Sequence, residues 1–198
     1  PVGKTFIIKP SWETVDDTEG RTILEIDPAS SFGTGTHDTT QLCITALEET
    51  IKGGEKLLDM GTGSGILAIA AGMLGAIPDT IVDIDEHCLT CAAENAERNN
   101  VILGRKLHGD ALKNPALAEE IGKDYDIIVA NIVADVIIGM SNMFWDKLKD
   151  NGTLICSGIL NERADEVENA LVKTGFDILK RQASDDWTAF TAKKCLGV

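Results

Sequence analysis

No apolar run in this 198-residue chain is long enough to span a bilayer. Its opening, PVGKTFIIKP, lacks a signal-peptide pattern. The expectation is a cytoplasmic protein with no membrane partner. Cationic residues are scarce: 18 Lys and Arg stand against 32 Asp and Glu, a net charge of −14. That balance argues against direct nucleic-acid binding, which needs a cationic face. It suits a basic protein substrate, and it also serves plain solubility. Cysteine is present in an odd number, five, which points to reduced thiols. Cys88 and Cys91 form a single CxxC with no second pair to complete a four-ligand zinc site. They are expected to act as small buried hydrophobes. His37, His87 and His108 share no metal-ligand spacing, so no metal is expected. Repeats and low-complexity segments are also missing, and the length suits one domain with a proper core.

What is present is an alternation. Residues 5–9 and 22–26 read as short extended pieces, and 39–51 as a helix stopped by Gly53 and Gly54. Strands are expected at 56–60, 80–84, 106–108, 126–130 and 152–157, the third of them short. Helices are expected at 65–74, 86–99, 115–121, 133–148 and 161–174. Residues 176–182 and 187–193 read as a closing antiparallel pair. Continuous apolar strands between helices mean a parallel sheet covered on both faces. The fold class is therefore α/β, a doubly wound, Rossmann-like sheet of seven strands whose last pair breaks the parallel order. Its ligand belongs at the carboxyl ends of the strands.

The most informative stretch is LLDMGTGSGIL at 57–67, followed by VDID at 82–85. An apolar strand ends, Gly61, Gly63 and Gly65 follow, and a helix begins; about twenty residues on, a second strand ends in carboxylates. Glycines let the backbone approach a ligand closely, and a carboxylate at the second strand's end can hold ribose hydroxyls. A dinucleotide fingerprint would place its third glycine at position 66, which is Ile66. The loop is GxGxG, and it resembles motif I of S-adenosylmethionine-dependent methyltransferases. Asp83 and Asp85 are both candidates for the ribose, and Asp85 alternatively caps the next helix. Asp110, in GDAL, either meets adenine or makes a turn. Upstream, SFGTGTHDTT places Gly33 and Gly35 among hydroxyls ahead of a helix, as a ligand loop or a cap. His37 there is a base or a hydrogen-bonding scaffold. Asn131 follows a buried strand at the presumed ligand edge. It either faces the site, where its amide both accepts and donates, or caps the helix beginning near Val133.

Taken together, SFGTGTHDTTQLC, LLDMGTGSGILAIAAGMLGA, VDID, AENAERNNV and VANI strongly resemble the bacterial methyltransferases that modify ribosomal large-subunit protein eleven, the PrmA family. The resemblance runs from about Phe6 to Lys193 and includes the final DDW and TAKK. It implies a class I methyltransferase fold with an antiparallel terminal strand and S-adenosyl-L-methionine as methyl donor. It also implies methylation of lysine side-chain and N-terminal amines of a basic ribosomal protein. Matched by position, cofactor contacts fall on Thr40, Gly61, Asp83 and Asn131, with Gly63 in the same loop. Asp110 sits where related enzymes meet the adenine amino group, and Asp59 fits the acid that reaches toward the methionine part. Asn131 is the one catalytic assignment, orienting the nucleophile or the cofactor's amino-acid end. Thr36, Thr40 and Phe32 are expected to close a lid. The chain departs from the family in Thr62 where Cys is frequent, Asp38 where Pro is frequent, and VDID where GIDID is frequent. Residues 1–30 read as a linker and short extended segment, and 31–198 as the methyltransferase domain. No counterpart is seen of the amino-terminal domain with which family members grip the ribosomal protein. The expectation is either a fragment or a substrate held differently. The competing readings are a methyltransferase for a small molecule or nucleic acid, a nicotinamide-dependent reductase disfavoured by Ile66, and a non-catalytic adenosine-binding module.

Overall fold

A computed structural model of the chain describes residues 1–29 and 37–195. Phe32, Gly33, Gly35 and Thr36, and so two of the three expected lid residues, lie outside the described residues; Thr40 is described.

Two short strands open the chain, β1 (Phe6–Lys9) and β2 (Thr22–Glu25), paired parallel. Helix α1 (Asp38–Thr50) follows. Five strand–helix units come next: β3 (Lys56–Met60), α2 (Ile66–Met73), β4 (Ile77–Asp83), α3 (Glu86–Arg98), β5 (Arg105–His108), α4 (Pro115–Ile121), β6 (Tyr125–Asn131), α5 (Ala134–Lys147), β7 (Leu148–Leu160) and α6 (Ala164–Thr174). Strands β8 (Phe176–Ala183) and β9 (Trp187–Lys194) close the chain. The sheet has seven strands in the order β5-β4-β3-β6-β7-β9-β8. Only β9 runs against its neighbours; β8, antiparallel to β9, regains the common direction.

Adjacent residues of the central strands bury on opposite faces, which is why those strands read as unbroken apolar runs. Leu57, Ile127, Val129 and Ile155 pack with α1 and α2; Leu58, Ile128, Ala130 and Cys156 pack with α5 and α6. Val2, Phe6, Leu24 and Ile26 join the first of these clusters, so the opening strands share the domain's core.

Local chemistry sets the helix starts. Asp85 caps α3 by accepting from His87 N, and Asn114 caps α4, with Pro115 at its first position. Two strands begin three or more residues ahead of their expected starts. β4 begins at Ile77, ahead of Pro78, because the β3–β4 ladder shifts register between Leu57 and Leu58 and steps over Asp79. β7 begins at Leu148 and passes through Asn151 at φ +64°.

Chain direction reverses across the sheet between β3 and β6: from β3 the chain moves outward to β4 and β5, then returns to β6 on β3's other side. The carboxyl ends meeting there form the topological switch point, where doubly wound sheets hold ligands. Met60 pairs with Val82 and Ala130, so Gly61, Asp83 and Asn131 come next across three adjacent strand ends.

Candidate functional site

The glycine loop leaves β3 through Gly61 at φ +74°. A Cβ there would sit 2.5 Å from Ile132 Cγ2, so both backbone sign and space demand glycine. Gly63, at φ +55°, differs: a Cβ on it would meet nothing within 4 Å. The loop thus packs against β6's exit at Gly61 and opens to space at Gly63.

Asp83 ties this loop to β4. It is 8% exposed, and its oxygens accept from Gly63 N at 2.9 Å and Asp85 N at 3.0 Å. With the Cys88 thiol also hydrogen-bonded to this carboxylate, the pair of oxygens keeps capacity for a further donor. Beneath the loop, Asp59 is buried and accepts from the Thr62 hydroxyl at 2.8 Å. Its other oxygen, Oδ1, has no hydrogen-bond partner among the described residues. Burial pushes its pKa up to about 7, against the Thr62 hydrogen bond and with help from the Asp83 charge.

Two cavities flank Gly61. One, of about 330 Å³, is lined by Thr40, Gly63, Asn131, Gly158 and Trp187 among others. The other, of about 350 Å³, is lined by Asp83, Asp110, Ile84, Leu112 and Val136 among others. Gly61, Ile132 and Val133 are common to both. All six site residues singled out in the sequence therefore line one cavity or the other: Thr40, Gly63 and Asn131 the first, Asp83 and Asp110 the second, Gly61 both. Asp110 Oδ1 also accepts from Leu112 N, and its Oδ2 pairs with Lys113 at 3.3 Å. Asp85 is exposed, lines neither cavity and works as the cap of α3.

Asn131 is not a helix cap. The cap position of α5 is Val133, and no side chain caps that helix. Asn131 Nδ2 instead donates to Thr39 Oγ1 at 3.1 Å. Thr39 Oγ1 in turn lies 2.8 Å from Nδ1 of His37, the residue that caps α1. The His37 ring meets Trp187 edge-on, centroids 5.1 Å apart.

Several lining residues carry no chemical signal in isolation. Ile84, Leu112 and Val133 are exposed apolar side chains at the second cavity's mouth. The alternation in VDID, an apolar residue between two carboxylates at a strand end, is the one trace Ile84 leaves. Cys88 is half-buried and lines the first cavity rather than packing in the core. Burial, with Asp83 and Asp85 beside it, pushes its thiol up to about 11, and burial raises Cys91 as well. Neither is an activated nucleophile. No cluster of metal-ligating side chains occurs among the described residues.

The AENAERNNV segment has a structural use. Asn95 is fully buried and donates through Nδ2 to Asp27 O and Ser64 O, both at 2.8 Å. Its Oδ1 accepts from Asp27 N at 3.0 Å. Asn99 likewise receives Glu25 N and donates to Glu25 O. Two side-chain amides thus pair with the backbone as a strand would, Asn99 at the last residue of β2 and Asn95 two residues beyond it, and Asn95 joins that segment to the glycine loop.

Residues 1–195 match the family model described as ribosomal protein L11 methyltransferase (PrmA). The chain is 42% identical over 194 residues to the ribosomal protein L11 methyltransferase of Bacillus velezensis, covering 98% of this chain and 61% of that one. It is 43% identical over 195 residues to the same-named protein of Halalkalibacterium halodurans, covering 97% and 60%. The chain thus spans about 60% of the length of the curated relatives it matches. Among solved structures, the ribosomal protein L11 methylase of Lactobacillus delbrueckii subsp. bulgaricus superposes with a TM-score of 0.86 at 30% identity. That match covers 98% of this chain and 97% of the other. A putative methyltransferase complexed with SAH shares the fold at a TM-score of 0.66 and 16% identity, covering 80% of this chain and 50% of that one.

Proposed function

This chain belongs to the ribosomal protein L11 methyltransferase family, and from that premise we propose that it transfers methyl groups from S-adenosyl-L-methionine to lysine and N-terminal amines of ribosomal protein L11. The observation that carries the reading is the pair of cavities meeting at Gly61. One is apolar-walled with two carboxylates, and the other holds a polar amide beside an aromatic ring.

The residues present fit the donor. In this reading Asp83 takes the ribose hydroxyls with the capacity left by Gly63 N, Asp85 N and the Cys88 thiol. Asp110 would meet the adenine amino group, and Ile84 and Leu112 would supply apolar contact to the ring. Gly63, with open space where a side chain would stand, lets the loop approach the cofactor. Thr40 and Asn131 hold the amino-acid end. Bound there, S-adenosylmethionine supplies an electrophilic methyl on a leaving group that needs no activation.

The protein's task is then to place and deprotonate an amine. An unperturbed lysine titrates near about 10.4. A desolvated cavity lowers that value without a dedicated base. The Asn131 carbonyl accepts an amine hydrogen and aims the nitrogen lone pair, a positioning effect of the kind that dominates such displacements. No side chain here serves as a nucleophile. The net charge of −14 draws a basic substrate. Residues 1–30, read from the sequence as a linker and short extended segment, lend Phe6, Leu24 and Ile26 to the core of the methyltransferase domain assigned to 31–198, and the reaction is assigned to the cytoplasm.

The test is mass spectrometry of ribosomal protein L11 incubated with the protein and S-adenosylmethionine. Mass gains in whole methyl units on its amines are expected. An unmodified ribosomal protein alongside a methylated small molecule or RNA would replace this substrate assignment.

A further inference from the structure

We propose that Thr39 is a positioning residue: it relays a hydrogen bond from Asn131 to His37 and so fixes the Asn131 amide with its carbonyl oxygen turned free for the substrate amine. This rests on the methyltransferase reading, in which Asn131 meets that amine.

The direction of the relay follows from proton counting. His37 Nδ1 accepts the backbone N–H of Thr39 at 3.3 Å as the cap of α1. A nitrogen that accepts carries a lone pair and no proton. In the tautomer with the ring proton on Nε2, the threonine hydroxyl fills the 2.8 Å contact with that same nitrogen by donating, the backbone N–H sharing the same lone pair at longer range. A hydroxyl has one proton. With it committed to His37, Thr39 Oγ1 can only accept from Asn131. Asn131 must then present its NH₂, which lies 3.1 Å away, rather than its C=O. The amide's orientation is set by this network, since the two ends of the group are nearly equal in shape. Asn131 Oδ1 is left without a hydrogen bond among the described residues, on the side chain that lines the first cavity.

Three elements hold the relay. Asn131 ends β6, Thr39 and His37 begin α1, and Trp187 of β9 braces the His37 ring edge-on. Thr39 itself is 4% exposed, so bulk water does not compete for its hydroxyl. Without that hydroxyl, Asn131 loses the partner that distinguishes its two ends, and the acceptor is presented only part of the time.

Thr39→Val removes the hydroxyl at nearly constant shape; Thr39→Ser keeps it. With ribosomal protein L11 as substrate and cofactor saturating, Thr39→Val should slow single-turnover methyl transfer by about tenfold to a hundredfold. S-adenosylmethionine affinity should fall by much less than the rate, because Asn131 is one of several cofactor contacts, and the protein should stay folded at the assay temperature. Thr39→Ser should recover the rate to within a few-fold. Nitrogen NMR of the unliganded protein gives a readout independent of activity: His37 Nδ1 should show the unprotonated, pyridine-type signal, and the Asn131 Nδ2 protons should shift in Thr39→Val. A protonated Nδ1 in neutral His37, a Thr39→Val rate equal to wild type, or a Thr39→Ser as slow as Thr39→Val would each overturn the relay. Cofactor affinity falling in step with rate would make Thr39 a cofactor contact instead. Failure of the wild-type protein to bind S-adenosylmethionine at all would strike the methyltransferase reading, while the NMR result would still judge the relay.

Discussion

Asn131 ends its strand two residues before the cap position of α5, and that spacing separates the two uses open to it. A cap lost to alanine costs about 1 kcal/mol of stability. An orienting group lost to alanine costs rate, about a hundredfold for a misplacement near an ångström. Asn131→Ala should show the second signature: single-turnover transfer falls by about that factor while the denaturation midpoint stays near wild type. A midpoint shift with unchanged rate would remove Asn131 from the chemistry. Asp59 makes a pH prediction. Its folded pKa is raised to about 7, and the unfolded chain releases that proton near about 3.9. Between those values the folded chain binds more protons than the unfolded one. Its contribution is therefore complete below about pH 4 and lost as pH rises through about 7. Urea unfolding of wild type and Asp59→Asn across that window should show wild type losing stability relative to the neutral variant as pH rises. A constant difference would contradict the raised pKa.

Among the elements, the Asn95 and Asn99 amides replace a missing strand at the end of β2 and just beyond it, and Asn95 also grips Ser64 of the glycine loop. Asn95→Ala strips partners from Asp27 and Ser64 in a fully buried place. It should cost about 1–3 kcal/mol in chemical denaturation and loosen the glycine loop. A stability loss well under that range would mean the strand edge is satisfied elsewhere. Such pairings explain what the chain's pattern hides. Lys56–Met60 and Pro115–Ile121 are legible residue by residue: the first is a run of buried residues stopped by glycine, the second is framed by Asn114, Pro115 and Gly122. The start of β4 is not legible. Pro78 reads as a breaker, and only the register shift opposite Leu57 and Leu58 accommodates it. The full span of β7 is hidden for a similar reason, since Asn151 and Gly152 look like a turn. The lone reversed strand is β9 rather than the whole terminal pair, because β8 reaches the sheet's edge by pairing with β9 alone.

In the whole molecule, the carboxyl ends of β3, β4, β5 and β6 converge on two cavities that share a wall at Gly61, Ile132 and Val133. The motifs announced the polar part of that convergence. Asp83 and Asn131 end apolar strands, Asp110 follows the short, polar β5, and parallel strands bring such ends to one edge. The apolar part was silent, because an Ile, Leu or Val at a cavity mouth has the same spelling as one in the core. Thr39 and Trp187 were silent for a different reason: their contact with Asn131 and His37 joins residues far apart in the chain. The most direct measurement is calorimetric titration of the protein with S-adenosylmethionine and, separately, NAD, repeated on Asp83→Ala with Asp85→Ala as control. The predicted result is binding of S-adenosylmethionine and not NAD, weakened in Asp83→Ala by about 1.5–3 kcal/mol, or roughly tenfold to 150-fold, and nearly unchanged in Asp85→Ala. Equal binding of NAD, or undiminished affinity in Asp83→Ala, would contradict the assignment of these cavities to the methyl donor.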